Sequence, residues 1–356
     1  MKICIAGAGL AGSLLYYFLK NFGFNVDVYD PGIIRGCRSL NFVFQNKEER
    51  SLFKKVCKYL NVYINDYIVK EADLIINDKK VNKCYIINKT KFVENVLPRT
   101  LIIHREYKPM SSVMRAKVDE LGNLIKEYSS EDHGKDYKLI VDASGVSKVM
   151  QEKKFNDDIK TCQFIIRSFK KIDDYIIENI SLAKGKPLLQ YFWITPMVED
   201  GTYHIGCSSY NMSYIEMKSK VLEYIKEVFG SGYDIVCNCN NVINGSLMRE
   251  SRLGGIYKGR AIASIGEAGG LISLLGFGNV YAFLSPFLLA KCINKYGIED
   301  GIIRYKNLVS KTFSYLDERK IALKRCNILK VPKILKESLS ISMSDCLELM
   351  MKSYLY

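Results

Sequence analysis

The sequence predicts an α/β protein in which a parallel-sheet unit is split by an inserted, mostly antiparallel sheet and followed by C-terminal helices. Three observations predict it. A glycine-rich turn joins an apolar strand to an amphipathic helix at the start of the chain. Two further apolar strands, far apart in sequence, end in Asp142-Ala143-Ser144-Gly145 and in Gly266-Glu267. Between them, residues 156–254 read as long alternating strands around one helix. The corresponding division is 1–155 with 255–297 for the split unit, 156–254 for the inserted sheet, and 298–356 for the helical remainder.

The first thirty residues justify the parallel unit. Lys2-Ile3-Cys4-Ile5-Ala6 is a short apolar strand that runs into Gly7-Ala8-Gly9-Leu10-Ala11-Gly12. A helix from Ser13 to about Asn21 and a strand Asn25–Tyr29 follow, and the strand ends in Asp30. Each part has a physical reason. Gly7 permits the tight turn, Gly9 lets the backbone approach a pyrophosphate, and Gly12 lets helix and strand pack closely. The helix N-terminus offers N–H groups and a positive dipole end to phosphates. Asp30, eighteen residues after the last glycine, can accept from a ribose diol. This is the Rossmann-like fingerprint of a dinucleotide site.

Further along, Lys47–Leu60 reads as a helix, Leu74–Ile76 and Cys84–Ile87 as strands around an Asn-Asp-Lys-Lys turn, Thr90–Val96 as a short helix and Leu101–Ile103 as a strand. Lys138–Val141 is a continuous apolar strand of the kind buried on both faces of a parallel sheet. In the inserted region, Thr161–Arg167, Leu188–Ile194, Thr202–Ser208 and Ile235–Met248 read as strands and Tyr214–Val228 as a helix. The pattern then returns to α/β at Ala261–Ile265. The stretch between Glu267 and Lys291 lacks charge but is rich in glycine at its start. It reads as a buried loop followed by a buried helix, Asn279 to Asn294, rather than as a membrane span.

Hydrophobic content of 48% and charged content of 25% are those of a folded globular protein. No n-region or cleavage site precedes the first strand, so no secretory leader is expected. Eleven cysteines, an odd number without a CxxC pair, suit a reducing, cytoplasmic setting. The three histidines, His104, His133 and His204, lack metal-ligand spacing, and Cys237 with Cys239 makes only half a zinc site, so no metal is expected. The net charge is +14, and no nucleic-acid-binding motif accompanies it. Basic residues from Arg319 to Lys336 interleave with Ile321, Leu323, Leu329 and Leu335. This segment reads either as a peripheral contact with the inner face of an anionic membrane or as a solvated helix that caps the fold.

The three motif segments, in this order and spacing, resemble the FAD-binding fold (glutathione reductase type) of the para-hydroxybenzoate hydroxylase superfamily. Tyr191-Phe192-Trp193-Ile194-Thr195-Pro196 narrows the likeness, because it resembles the Y-x-W-x-F-P signature of geranylgeranyl reductases, with Thr195 in place of Phe. It also resembles the W-x-W-x-I-P of flavin-dependent halogenases. The resemblance implies FAD held by Gly7, Gly9, Leu10, Ala11, Gly12 and Asp30, by Asp142 and Gly145, and by Gly266 with Glu267 on the ribitol where Asp is usual. It further implies Gly276-Phe277-Gly278-Asn279 as the lead-in to a helix that faces the flavin, Lys89 in place of the usual Arg, and Arg38 beside the cofactor. The usual Pro is absent, with Ser273-Leu274-Leu275 in its region. Cys37 falls where archaeal members carry a cysteine beside the flavin, and it reads either as a proton donor or as a core thiol.

What the resemblance implies is an FAD-dependent reductase of isoprenoid carbon–carbon double bonds. Tyr191 and Trp193 would act catalytically and, with Phe192 and Pro196, line an apolar substrate tunnel for a lipid or a quinone tail. Alternatively, Tyr191 and Trp193 alternate on a strand and fill a core. Arg35 and Arg38 can meet a substrate phosphate. A single dinucleotide fingerprint leaves flavin reduction to transient NAD(P)H or to an acidic protein donor such as a ferredoxin, which the net positive charge suits. A flavin monooxygenase or halogenase is the other enzyme reading. A non-catalytic flavin- or lipid-binding protein is the third.

Overall fold

The computed structural model describes residues 2–30, 39–44, 47–88, 91–92, 103–104, 117–118, 124–126, 137–145, 159–181, 190–243, 245, 247–248, 253–257, 260–273, 275–317 and 320. Two sheets organise them. The first has six strands in the order β15-β16-β9-β1-β2-β6. These are β1 Lys2–Ala6, β2 Asn25–Tyr29, β6 Ile103–His104, β9 Tyr137–Asp142, β15 Gly254–Tyr257 and β16 Arg260–Ser264. All neighbours run parallel except β15 with β16. Ile3, Ile5, Leu139, Val141, Ala261 and Ala263 are fully buried, as strands covered on both faces require.

Helix α1 (Leu10–Asn21) follows the glycine turn and begins earlier than its sequence pattern suggests. Gly9 is the N-cap, and the Gly9 carbonyl accepts from Ser13 N–H at 3.0 Å. Leu14, Leu15, Phe18 and Leu19 form its buried stripe, and each such side chain contributes about 1.5–3 kcal/mol by leaving water. Phe18 meets Phe287 edge-on at 5.3 Å, which docks α1 on a helix from the far end of the chain. Helix α2 spans Lys47–Leu60, as its periodicity predicts.

The second sheet has eight strands in the order β14-β10-β13-β12-β11-β4-β5-β3. They are β3 Ser39–Val43, β4 Ile68–Ile76, β5 Lys79–Asn88, β10 Ile159–Ser168, β11 Tyr175–Ser181, β12 Gln190–Pro196, β13 Thr202–Ser209 and β14 Tyr233–Ile243. Pairing is antiparallel throughout except β11 with β4. The sequence division placed β3, β4 and β5 in the split α/β unit, whereas their hydrogen bonds put them in the larger sheet. Alternation marks a strand without naming its partner, and β11 supplies that partner through Tyr175↔Leu74 and Ile177↔Ile76. The β4–β5 turn has Asn77 and Asp78 at φ 43° and 64°, the left-handed pair that matches strand twist. β14 stops at Ile243, short of the Met248 its apolar run suggests.

Helix α3 (Tyr214–Phe229) packs on one face of this sheet and carries a full capping box at Ser213 and Glu216. Helix α4 (Asn279–Tyr296) is buried along most of its length, and α5 (Ile298–Thr312) packs beside it. Tyr305 Oη donates to Ser264 O at 3.0 Å and ties α5 to the first sheet. Among the described residues no helix is long and apolar enough to cross a membrane. β7 (Lys117–Val118) and β8 (Leu124–Lys126) form a separate two-stranded pair.

Candidate functional site

The glycine turn has the geometry its spacing predicts. Gly7 has φ +98°, and a Cβ there would stand 2.5 Å from Ala143 O. At Gly12 a Cβ would lie 1.8 Å from Gly7 O, so any side chain would force the helix off the strand. At Gly9, by contrast, a Cβ would meet nothing within 4 Å, which leaves an open approach at the head of α1. Leu10 and Ala11 form the first turn of that helix. Asp30 Oδ2 accepts from Ala8 N–H at 2.7 Å and ties the end of β2 to the turn.

The two later motifs close on this turn. Asp142 is fully buried, and its Oδ1 accepts from Ser144 N–H at 3.0 Å. Its carboxylate therefore shapes the bend that leads to Gly145, which has φ +63°. A Cβ on Gly145 would lie 3.9 Å from Glu267 Oε2, so the second and third motifs meet here. Gly266, at φ +57°, packs against Ala11 and Ala282, and its N–H donates to Ser285 Oγ at 2.9 Å.

The loop after Glu267 folds back on itself. Ser273 N–H donates to Phe277 O at 3.1 Å, and Ser273 Oγ accepts from Phe277 N–H at 3.2 Å. Gly276 takes φ +81°, and Gly278 is the N-cap of α4. Asn279 Nδ2 donates to Asn41 O at 3.0 Å, which joins the head of α4 to β3.

Helices α1 and α4 thus both begin on glycine, without a side-chain cap and without an acid in the first turn. Such termini attract anionic groups. With the open side of Gly9, they fit a pyrophosphate-bearing dinucleotide such as the FAD that the resemblance implies. Gly7, Gly9, Leu10, Ala11, Gly12 and Asp30 would hold it at α1. Gly145, Gly266, Glu267 and the 276–279 turn would hold it at α4.

A cavity of about 300 Å³ lies between this loop and the larger sheet. Glu267, Ile272, Leu275, Gly276, Phe277, Gly278 and Asn279 form its loop side. Thr161, Gln163, Tyr191, Trp193, Thr195 and His204 are on its sheet side. The Tyr191 and Trp193 rings are 5.8 Å apart. Trp193 lies across Gly206, where a Cβ would come within 2.4 Å of its Cζ2. His204 meets the Trp193 ring edge-on at 5.9 Å, and its Nε2–H donates to Gln163 Oε1 at 2.8 Å. Burial pushes the His204 imidazole down to about 4, so it is neutral at physiological pH.

Two of the substrate residues read from sequence need correction. Phe192 faces away from the cavity and packs on Tyr224 of α3 at 4.9 Å. Pro196 is on the same side of β12 as Phe192, because side chains alternate along a strand. The cavity positions are instead Tyr191, Trp193 and Thr195. Sequence reasoning missed Gln163 and His204, which look like outward polar positions of alternating strands. The available signal was Gly206, since glycine inside a strand marks a close approach. Cys37, Arg35, Arg38 and Lys89 lie outside the described residues, as does the basic segment after Lys320.

No protein-family model matches the chain. The chain is 40% identical to the uncharacterized protein MJ1182 of Methanocaldococcus jannaschii, with 99% of this chain and 100% of that protein covered. In structure it is similar to a geranylgeranyl bacteriochlorophyll reductase-like protein (Ta0516) from Thermoplasma acidophilum. That likeness has a TM-score of 0.63 at 14% identity and covers 99% of this chain and 96% of the other. It is also similar to Klebsiella pneumoniae HpxO, solved in complex with FAD and uric acid. There the TM-score is 0.54 at 12% identity, over 100% of this chain and 97% of the other. At these identities the two structures share the fold with this chain.

Proposed function

This chain belongs to the family of the uncharacterized protein MJ1182, and from that premise we propose that it is an FAD-dependent oxidoreductase that reduces carbon–carbon double bonds of an isoprenoid. One observation carries the reading: a single cavity is bounded by the glycine-capped head of α4 and by the Tyr191–Trp193 pair of the aromatic motif. The likeness to the reductase-like structure from Thermoplasma acidophilum supports it. The FAD in the HpxO complex supports the choice of cofactor.

Reduced FAD would supply the hydride for one alkene carbon, and a proton, for which Cys37 is the sequence's candidate donor, would complete the other carbon. The chain's other residues bind and orient. Gly9 lets backbone approach the phosphates, Gly12 keeps α1 close against the strand, and the dipole of α4 favours negative charge at its N-terminus. Tyr191, Trp193, Ile272, Leu275 and Phe277 give the substrate an apolar surface and exclude water. Glu267, which lines the cavity beside the turn, would contact the cofactor's sugar chain, as the resemblance implies. Gln163 and His204 favour a second reading, a flavin monooxygenase, since they offer hydrogen bonds that a pure hydrocarbon does not use.

The test is anaerobic. The purified protein is reduced, and an isoprenoid is added while the visible flavin band is followed. Reoxidation by the isoprenoid without oxygen is the expected result. A reduced flavin that ignores isoprenoids and reoxidises rapidly in air would move the assignment to the monooxygenase, and a protein that cannot take up FAD would end both readings.

A further inference from the structure

The sheet side of the cavity carries hydrogen-bonding groups that reduction of a plain hydrocarbon leaves unused. Thr195 on β12 stands opposite His204 on β13, and His204 bonds Gln163 on β10, so a polar row crosses three adjacent strands. Thr195 is 1% exposed, yet its Oγ1 has no hydrogen-bond partner. A buried hydroxyl in that state carries an uncompensated desolvation cost, and such a group asks for an explanation. A ligand that satisfies the hydroxyl is one, because Thr195 lines the cavity. The row is also held in place. Trp193 abuts the His204 ring, and Gln163 fixes its Nε2. Glu267 is the one charged side chain among the described residues that line the cavity, so an anionic ligand meets a carboxylate there.

We infer that Thr195, backed by the Gln163–His204 pair, recognises an uncharged oxygen function on the substrate, so that the cavity takes a neutral, oxygen-bearing isoprenoid in preference to a hydrocarbon or a diphosphate. The inference rests on the reductase reading for the carbon skeleton alone. Thr195 is then a specificity-determining residue. A threonine hydroxyl both donates and accepts, which suits an alcohol or a carbonyl equally.

The chain contains a single tryptophan, Trp193, and it lines the cavity, so its emission reports occupancy directly. The experiment titrates the FAD-loaded protein with geraniol, with the parent diene that lacks the hydroxyl, and with geranyl diphosphate. Geraniol is expected to bind about tenfold tighter than either of the others, the effect of one neutral hydrogen bond. Thr195→Val is expected to weaken geraniol about tenfold and to leave the diene unchanged, and Gln163→Leu is expected to lower the same preference. Equal binding of all three probes, tighter binding of the diphosphate, or a preference that survives both substitutions would overturn the inference. Because the readout is binding, the two readings fail separately. Turnover of isoprenoids with affinities indifferent to Thr195 keeps the reductase and removes this subsite. Thr195-dependent binding without turnover does the reverse.

Discussion

On β10, β12 and β13, the two faces of one sheet follow different chemistry. One face presents Cys162, Phe164, Ile166, Phe192, Ile194, Ile205 and Cys207 to helix α3, where Met217, Val221 and Ile225 complete a dry cluster. The other face, one residue out of step, presents Thr161, Gln163, Tyr191, Trp193, Thr195 and His204 to the cavity. Both faces are largely covered, and Tyr191 and Trp193 join Ile272, Leu275 and Phe277 in a second apolar cluster, but only this second face also keeps polar residues beside a cavity. A covered strand face that keeps polar residues gives up packing energy, and in this chain that face adjoins the glycine loops. The contrast separates residues that hold the sheet together from residues that meet a ligand, although they are neighbours along the chain.

The sharpest way to break the contrast is to truncate on the α3 face. Phe192→Ala should cost about 3–5 kcal/mol of stability, as loss of a buried aromatic ring does. Chemical denaturation would measure it. Probe affinity in the protein that remains folded should be unchanged, and a large loss of affinity would mean that Phe192 reaches the cavity after all.

The next effect depends on pH. The His204 value is about 4 in the folded chain against 6.5 for an ordinary histidine. The unfolded chain therefore binds the extra proton between those values. Stability from this group is complete above about 6.5, is lost as pH falls toward 4, and amounts to at most about 3 kcal/mol. Melting curves of wild type and His204→Gln should converge as pH falls through that window. Parallel curves would place His204 in water.

Gly206→Ala should cost about 1–3 kcal/mol, because the new methyl would press on the Trp193 indole and on Cys162 O. It should also shift the tryptophan emission, which a change on the α3 face would not do. The smallest effect has the opposite sign. Thr195→Val removes an unpartnered buried hydroxyl and should raise stability by up to about 1 kcal/mol, measured by thermal melting, while it weakens geraniol binding. Lost stability on this substitution would mean that the hydroxyl has a partner within the protein.

Much of this was legible in the sequence where one local rule decides the outcome. The turn at Gly7 and the close packing at Gly12 follow from spacing, because a positive φ and a Cβ clash each require glycine there. Helix α2 and the long strands follow from periodicity. What is not local was missed. Strand β11 escaped because Glu178 breaks its apolar run just after Asp173 and Asp174. That the 39–88 strands pair into the larger sheet was not legible, because pairing partners are not encoded in alternation. Gln163 and His204 look like outward polar positions of alternating strands, and Thr195 reads only as a replacement within the aromatic motif, since only the fold brings Ile272, Leu275 and Phe277 over them. Phe192 and Pro196 were included because a motif is read as a block, whereas a strand deals its residues to two sides.

The parallel contact of β4 with β11 has a consequence for how the chain is made. Ile76 pairs next to Ile177, about a hundred residues later in synthesis. At about 5–20 residues per second, β4 emerges from the ribosome some 5–20 s before its neighbour. During that interval the three strands in the order β4-β5-β3 carry an open backbone edge on β4, with Leu74 and Ile76 beside it, ready to pair with another nascent chain. Lys80 and Lys83 are already neutralised by Asp73 and Glu71 within the hairpin, whereas Lys70 on the waiting strand meets its partner Asp173 only later, and until then its charge discourages pairing with another chain.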